Sequence, residues 1–189
     1  MVPFIQKKTI VLSLIFTSLT AFAQAATYTT MADGAWSDPT IWSTDGGATS
    51  CGCIPTEPTA GNNIVLKHDI DLLGNSITIN GGSQVTVVAY QGEIHWSGPG
   101  GGTIDVQNGQ LYVNNYISVN QLNIGVDGNV TIVGYSEMFV QAGFDVFGHL
   151  HVYGCYLCVS TRNIKYEATA DVQLTNLSNI EVIKGHLKN

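Results

Sequence analysis

From Ile64 onward the chain alternates apolar and polar residues in short triplets with an apolar residue at each end. Examples in order are Ile64–Leu66, Ile70–Leu72, Ile77–Ile79, Val85–Val87, Ile104–Val106, Leu111–Val113, Ile117–Val119 and Leu122–Ile124. The pattern continues through Val130–Ile132, Met138–Val140, Phe144–Val146, Leu150–Val152, Leu157–Val159, Ile164–Tyr166, Val172–Leu174 and Ile180–Val182. Residues i and i+2 face the same side of a strand, so each triplet reads as a minimal half-buried strand. Triplets recur about every seven residues, and three of them make a coil of about 20–22 residues, the period of a β-solenoid. A β-sandwich also has short strands, but its strands usually recur at about 8–12 residues with longer alternation.

The gaps between triplets hold turn formers: Gly81-Gly82, Asn108-Gly109, Asp127-Gly128, Gly154 and the run 98–102. The glycine run lacks the Lys-Ser/Thr ending of a phosphate loop and no helix pattern comes after it, so it reads as a solenoid corner. The segment before Ile64 is different. Trp36, Trp42, Pro39, Pro55, Pro58, Cys51 and Cys53 crowd into it, and strand alternation is weak. A solenoid whose first coil is left bare exposes backbone edges and core, so residues 26–63 are predicted to form an N-terminal cap, with Trp36 and Trp42 covering the core. Residues 64–189 are predicted to be the solenoid proper. Residues 1–25 have the form of a secretory signal peptide: Lys7 and Lys8, an apolar run from Ile10 to Leu19, then small residues at Ala21–Ala25. That run is shorter than the roughly 20 residues needed to span a bilayer, and no later stretch is apolar enough to span one.

Residues 34–82 resemble the entry segment of secreted parallel β-helix proteins of the Bacteroidetes type, including the eight-glycine domain. The matching residues are Gly34-Ala35-Trp36-Ser37-Asp38-Pro39, Trp42-Ser43, Pro55, Gly61-Asn62-Asn63-Ile64-Val65-Leu66, His68-Asp69-Ile70-Asp71-Leu72 and Ile77-Thr78-Ile79 before Gly81-Gly82. Members of that group usually carry Asp at the position of Asn62. The resemblance implies a parallel β-helix and export to the surface; it implies no single activity. Together with the general preference for right-handed crossovers, it makes the expected fold an all-β, single-stranded right-handed parallel β-helix (β-solenoid) of about five to six coils with an N-terminal cap.

Charge narrows the function. Charged residues make up only 11% of the chain, net charge is −7, and Arg162 is the sole arginine. A nucleic-acid partner needs a basic face, so none is expected, and acidic glycans are disfavoured by the same field. Removal of Lys7 and Lys8 with the leader makes the exported chain about −9. The four cysteines, in an exported chain, suggest disulfides. They fall into two local groups, Cys51/Cys53 and Cys155/Cys158, and bonds within each group are the first expectation. A shared four-thiolate zinc site would need to bridge about four coils, roughly 20 Å at about 4.8 Å per strand. Buried unpaired thiols at Cys155 and Cys158 are the other reading of that pair.

Several residues could carry chemistry. His149 and His151 share a strand face, with Asp145 close in sequence, and imidazoles at i and i+2 can chelate a metal. Asp69 and Asp71 share a face at the entry to the first predicted coil and could hold Ca²⁺. Solvated surface side chains are the plainer reading of both pairs, and no cofactor is expected. Stacked carboxylates of the kind a polysaccharide lyase or hydrolase uses would sit about one coil apart. The best-spaced pairs are Asp105/Asp127 and Asp145/Glu167, neither with a basic partner at the same coil position. The exposed aromatics Tyr112, Tyr116, Tyr135, Tyr153 and Tyr156 could bind carbohydrate. No regular Thr-x-Thr ladder is present. The expected function is therefore non-enzymatic: an exported β-helix with a structural or adhesive role at the cell surface. The alternatives are a carbohydrate-binding module and, behind it, a polysaccharide-degrading enzyme. Expected partners are a surface glycan or a second copy docking through residues 170–189, where a short tail leaves the last coil little cover.

Overall fold

A computed structural model describes residues 25–55, 61–97, 101–134, 136–153, 159–161, 164–166, 170–175, 180–182 and 187–188. Residues 1–24 of the predicted signal peptide, Tyr135, Tyr156, Cys155 and Cys158 lie outside these. The chain enters through β1 (Thr27–Thr30), β2 (Gly34–Ala35) and β3 (Trp42–Ser43), with one short 3₁₀ turn at Pro39–Ile41. It continues through β4 (Asn63–Leu66), β5 (Ile70–Asp71), β6 (Ser76–Ile79), β7 (Gln84–Val87), β8 (Glu93–His95), β9 (Thr103–Val106), β10 (Gln110–Val113) and β11 (Tyr116–Ile124). Next come β12 (Asn129–Val133), β13 (Glu137–Val146), β14 (His149–Tyr153), β15 (Val159–Thr161), β16 (Ile164–Tyr166), β17 (Asp171–Thr175), β18 (Ile180–Val182) and β19 (Leu187–Lys188). No α-helix occurs among the described residues.

The strands stack in parallel, coil on coil. Sheet I runs β3-β1-β4-β7-β10-β12-β14-β17, and every pair in it is parallel except β1 with β3. Sheet II has two arms. One runs β2-β5-β8 and the other β6-β9; both arms join the long strand β11, continue into β13, and separate again into β15-β18 and β16-β19. Each coil thus has three sides, as the triplet pattern predicts, and the molecule is a parallel β-solenoid.

The alternation translates directly into the core. Ile64, Val85, Leu111, Val130 and Leu150 are register partners in sheet I, and all are buried. Ile77, Ile104, Leu122 and Phe144 form the matching column in sheet II. Each residue fills the space above its counterpart one coil away, and the other end of each triplet (Leu66, Val87, Val113, Ile132, Val152) is buried in the same way, so the two columns build a continuous core. Fully burying such a side chain stabilises by about 1.5–3 kcal/mol. At the last coil, Val172 pairs with Leu150 yet is 37% exposed.

The first parallel rung lies inside the segment expected to be cap. β1 pairs in parallel with β4, and β2 with β5. The covering part is the stretch after β2. Trp36 and Trp42 are buried and meet edge to face, with ring centroids 5.0 Å apart. Trp42 donates Nε1–H to the Trp36 carbonyl (3.0 Å), and Trp36 donates to the Pro55 carbonyl (3.3 Å), so both indoles are buried with their polar atoms satisfied. Cys51 and Cys53 are joined by a disulfide and pack against this end of the core. Asn62 accepts the Ala26 N–H at 2.9 Å and so ties the first rung to the second.

Candidate functional site

The outward face of sheet I is a ladder of polar side chains in register. The column that starts each strand is Asn63, Gln84, Gln110, Asn129, His149 and Asp171. Two residues on, the column is Val65, Thr86, Tyr112, Thr131, His151 and Gln173. Neighbours along a strand bond to each other: Gln84 to Thr86 at 3.1 Å and Thr131 to Asn129 at 3.1 Å.

Titratable groups gather at one end of this face. His149 and His151 stand on β14, and Asp171 stands beside His149 on β17. One carboxylate oxygen of Asp171 faces both rings, 3.4 Å from Nδ1 of His149 and 3.0 Å from Nε2 of His151. Gln173 donates its amide to both oxygens of the same carboxylate, at 3.2 and 3.1 Å. The hydrogen bond from His151, then that from Gln173, holds the Asp171 carboxyl below the usual carboxylate range despite partial desolvation. Tyr153 closes the side of the group, its ring 5.9 Å from that of His151.

Asp145, the acid nearest these histidines in sequence, is on the other flank, in sheet II beside Asn123 and Lys165. The acid that meets them is Asp171, which sequence proximity does not suggest. The coil period does: one coil on from His149 falls at Asp171. Asp105 and Asp127 are not stacked as spacing suggests, and Glu167, the expected partner of Asp145, lies outside the described residues. Asp105 stands beside Asn123, and Asp145 has a basic register neighbour in Lys165. The step is not constant because the corners differ in length and because the register of β11 with β13 shifts between Val119 and Gln121.

Sheet II carries a second group. Asp69, Glu93 and His95 each offer one ligand atom, all within 4.8 Å of one another, and Glu93 meets His95 at 2.9 Å. Asp71 does not join Asp69 there. Its carboxylate accepts N–H bonds from Leu73 (2.8 Å) and Ser97 (3.0 Å) and the Ser97 hydroxyl (2.5 Å). Desolvation opposes its ionisation, but these bonds outweigh it and lower its pKa. Tyr116 is register partner to Glu93 on one side and Glu137 on the other. With Asn115 they line an open cleft of about 290 Å³. Glu93, His95 and Glu137 were not evident from spacing, although each acid lies about one coil from Tyr116.

The three described tyrosines of the five, Tyr112, Tyr116 and Tyr153, therefore do not share one platform. Tyr112 and Tyr153 lie on sheet I, two coils apart, and Tyr116 lies in the cleft on sheet II. The fold and these surfaces define the class: a parallel β-solenoid with a polar flat face and an acidic cleft on its second sheet. No family model matches the chain, and no curated protein or solved structure matches it either. Among the described residues, no helix is long and apolar enough to cross a membrane.

Proposed function

We propose that this chain is an exported, non-enzymatic β-solenoid that serves as a rigid structural or adhesive element at the cell surface. The observation that supports it is the sheet I ladder: six strands in register, β4 to β17, present amide, hydroxyl and ring side chains on one continuous face. Such a face offers repeated hydrogen-bonding groups at a spacing of about 4.8 Å, suited to an extended partner and held stiff by the parallel ladder beneath. Surface labelling and protease shaving of intact cells test the location. Deletion of the gene should weaken attachment without loss of any polysaccharide-degrading activity. A mature chain retained inside the cell, or turnover of a polysaccharide, would overturn the reading.

The cleft supports a second reading, a carbohydrate-binding module. Tyr116 lies between Glu93 and Glu137, and an aromatic ring flanked by acceptors can stack on a sugar while the carboxylates accept hydrogen bonds from its hydroxyls. A glycan array separates the two. Binding that is lost in Tyr116→Ala favours the module; uniform silence across neutral glycans favours the scaffold.

A further inference from the structure

We propose that His149, His151 and Asp171 form a binding site for a divalent transition metal of the zinc type. The inference is independent of the adhesive reading, since it rests on ligand chemistry alone. Two imidazoles and a carboxylate are a ligand set that zinc favours, and zinc sites with three protein ligands leave a fourth position for water or an external donor. With metal–donor bonds of about 2.0–2.2 Å at a tetrahedral angle, donor atoms stand roughly 3.3–3.6 Å apart. The separation from His149 to the Asp171 oxygen, 3.4 Å, falls in that range, and that from His151, 3.0 Å, is a hydrogen-bond distance that a small outward shift of the ring would bring into it. All three donor atoms lie within 4.8 Å of one another.

The site is built on strands rather than loops. The i, i+2 spacing of His149 and His151 puts both rings on one face of β14, and the parallel register brings Asp171 alongside. Gln173 fixes the carboxylate through both oxygens, as outer partners of metal ligands do. The surroundings fit a site with an open position: the His151 side chain is only 20% exposed, while His149 and Asp171 are 49% and 42% exposed. A metal would replace the N–H of each ring at the nitrogen now facing Asp171, with the proton carried on the other ring nitrogen. The group on sheet II, Asp69, Glu93 and His95, has one imidazole and two carboxylates, a harder ligand set that suits zinc less. It serves as the internal control.

The test is calorimetric titration of the mature chain, cysteines kept oxidised, with zinc chloride and separately with calcium chloride. One zinc per chain is expected, with no comparable calcium binding. His151→Ala and Asp171→Asn should each weaken zinc binding at least tenfold, and Gln173→Ala by about tenfold, the effect of removing an outer partner. His95→Ala should leave it unchanged. Nitrogen-15 ring shifts of His149 and His151 should move on zinc addition in the unaltered chain, which reads the site even if a variant folds poorly. Absence of zinc binding, binding that survives Asp171→Asn with His151→Ala, or binding abolished by His95→Ala would each overturn the proposal.

Discussion

Sheets I and II are wound from the same coils, yet they are not equally regular. In sheet I each coil contributes one strand, and each strand begins directly after a tight corner. Backbone bonds pass through that corner from coil to coil: Gln110 N–H to the Ser83 carbonyl, Asn129 to Gly109, His149 to Gly128 and Asp171 to Gly148. A Cβ on Gly128 would lie 2.0 Å from the Val106 carbonyl oxygen, and one on Gly148 would lie 2.1 Å from that of Gly125. The corner is therefore fixed by close backbone approach. In sheet II the side breaks into β5 and β6, then into β8 and β9 with a longer connection at 96–102, and fuses in β11 and β13. The cleft and the Asp69/Glu93/His95 group are on this less regular side. A repeating backbone lets side chains meet only along a strand or between adjacent rungs, as His149, His151 and Asp171 do, whereas a varying corner changes which residues face each other from coil to coil.

The largest expected effect is at the end where the two sheets are closed over. Trp42 lies in β3, which extends sheet I in the antiparallel sense, and it is fully buried against Trp36. Trp42→Ala should destabilise by about 3–5 kcal/mol, as truncation of buried aromatics does. Urea unfolding should show a large drop in midpoint. A drop of less than about 1 kcal/mol would mean that the tryptophan pair does not seal the core.

A pair of alanine substitutions tests the difference in tightness between a sheet I corner and the middle of a sheet II strand. Gly128→Ala at the sheet I corner drives a methyl into carbonyl backbone that cannot swing away, and should cost about 3 kcal/mol. Gly143→Ala, within β13 of sheet II, meets nothing closer than Gln121 Cγ at 3.9 Å, and should change stability by less than about 0.5 kcal/mol. Equal effects at the two glycines would break the comparison.

The same difference explains what could be read from the sequence. The buried columns come from i, i+2 alternation alone, because a residue's inward direction depends only on its own strand. Val85 needs no knowledge of its neighbours to be placed. The polar groups depend on register across coils. A mean period of about 20–22 residues reaches Asp171 from His149 in sheet I, but it misplaces Asp105 against Asp127 in sheet II, where Asn123 intervenes. The Cys51–Cys53 bond was legible because two residues separated by one glycine have little else to pair with locally. The indole hydrogen bonds that hold Trp36 and Trp42 were not, since they end on backbone carbonyls that any residue can supply.

Asp71 ties two levels of sheet II together through Leu73 and Ser97. Its pKa is lowered in the folded chain, so its contribution is present above the unfolded carboxylate value of about 3.9. That contribution is lost as pH falls through the lower folded value. Asp71→Asn should cost about 1 kcal/mol at neutral pH, reduced from a buried charge-assisted bond by solvent screening. It should also flatten the acid limb of the stability–pH profile. An unchanged acid limb would show that Ser97 and Leu73 bond equally well to the neutral amide.

Apart from the Gly143 control, the smallest effect is expected at Ser83, which takes the corner position occupied by Gly109 one coil later in sheet I. Ser83 is fully buried, and its hydroxyl has no hydrogen-bond partner. A buried unpaired hydroxyl is unfavourable, and here it fulfils no role that the backbone does not already fill: the Ser83 N–H is bonded to Asn80 and its carbonyl accepts from Gln110. Ser83→Ala keeps the Cβ for which the corner has room and removes only the oxygen. It should raise stability by about 0.5 kcal/mol, with the gain appearing as a higher urea midpoint at unchanged slope. Loss of stability instead would show that a water or a shifted carbonyl satisfies the hydroxyl, and that this sheet I corner is held by more than close packing.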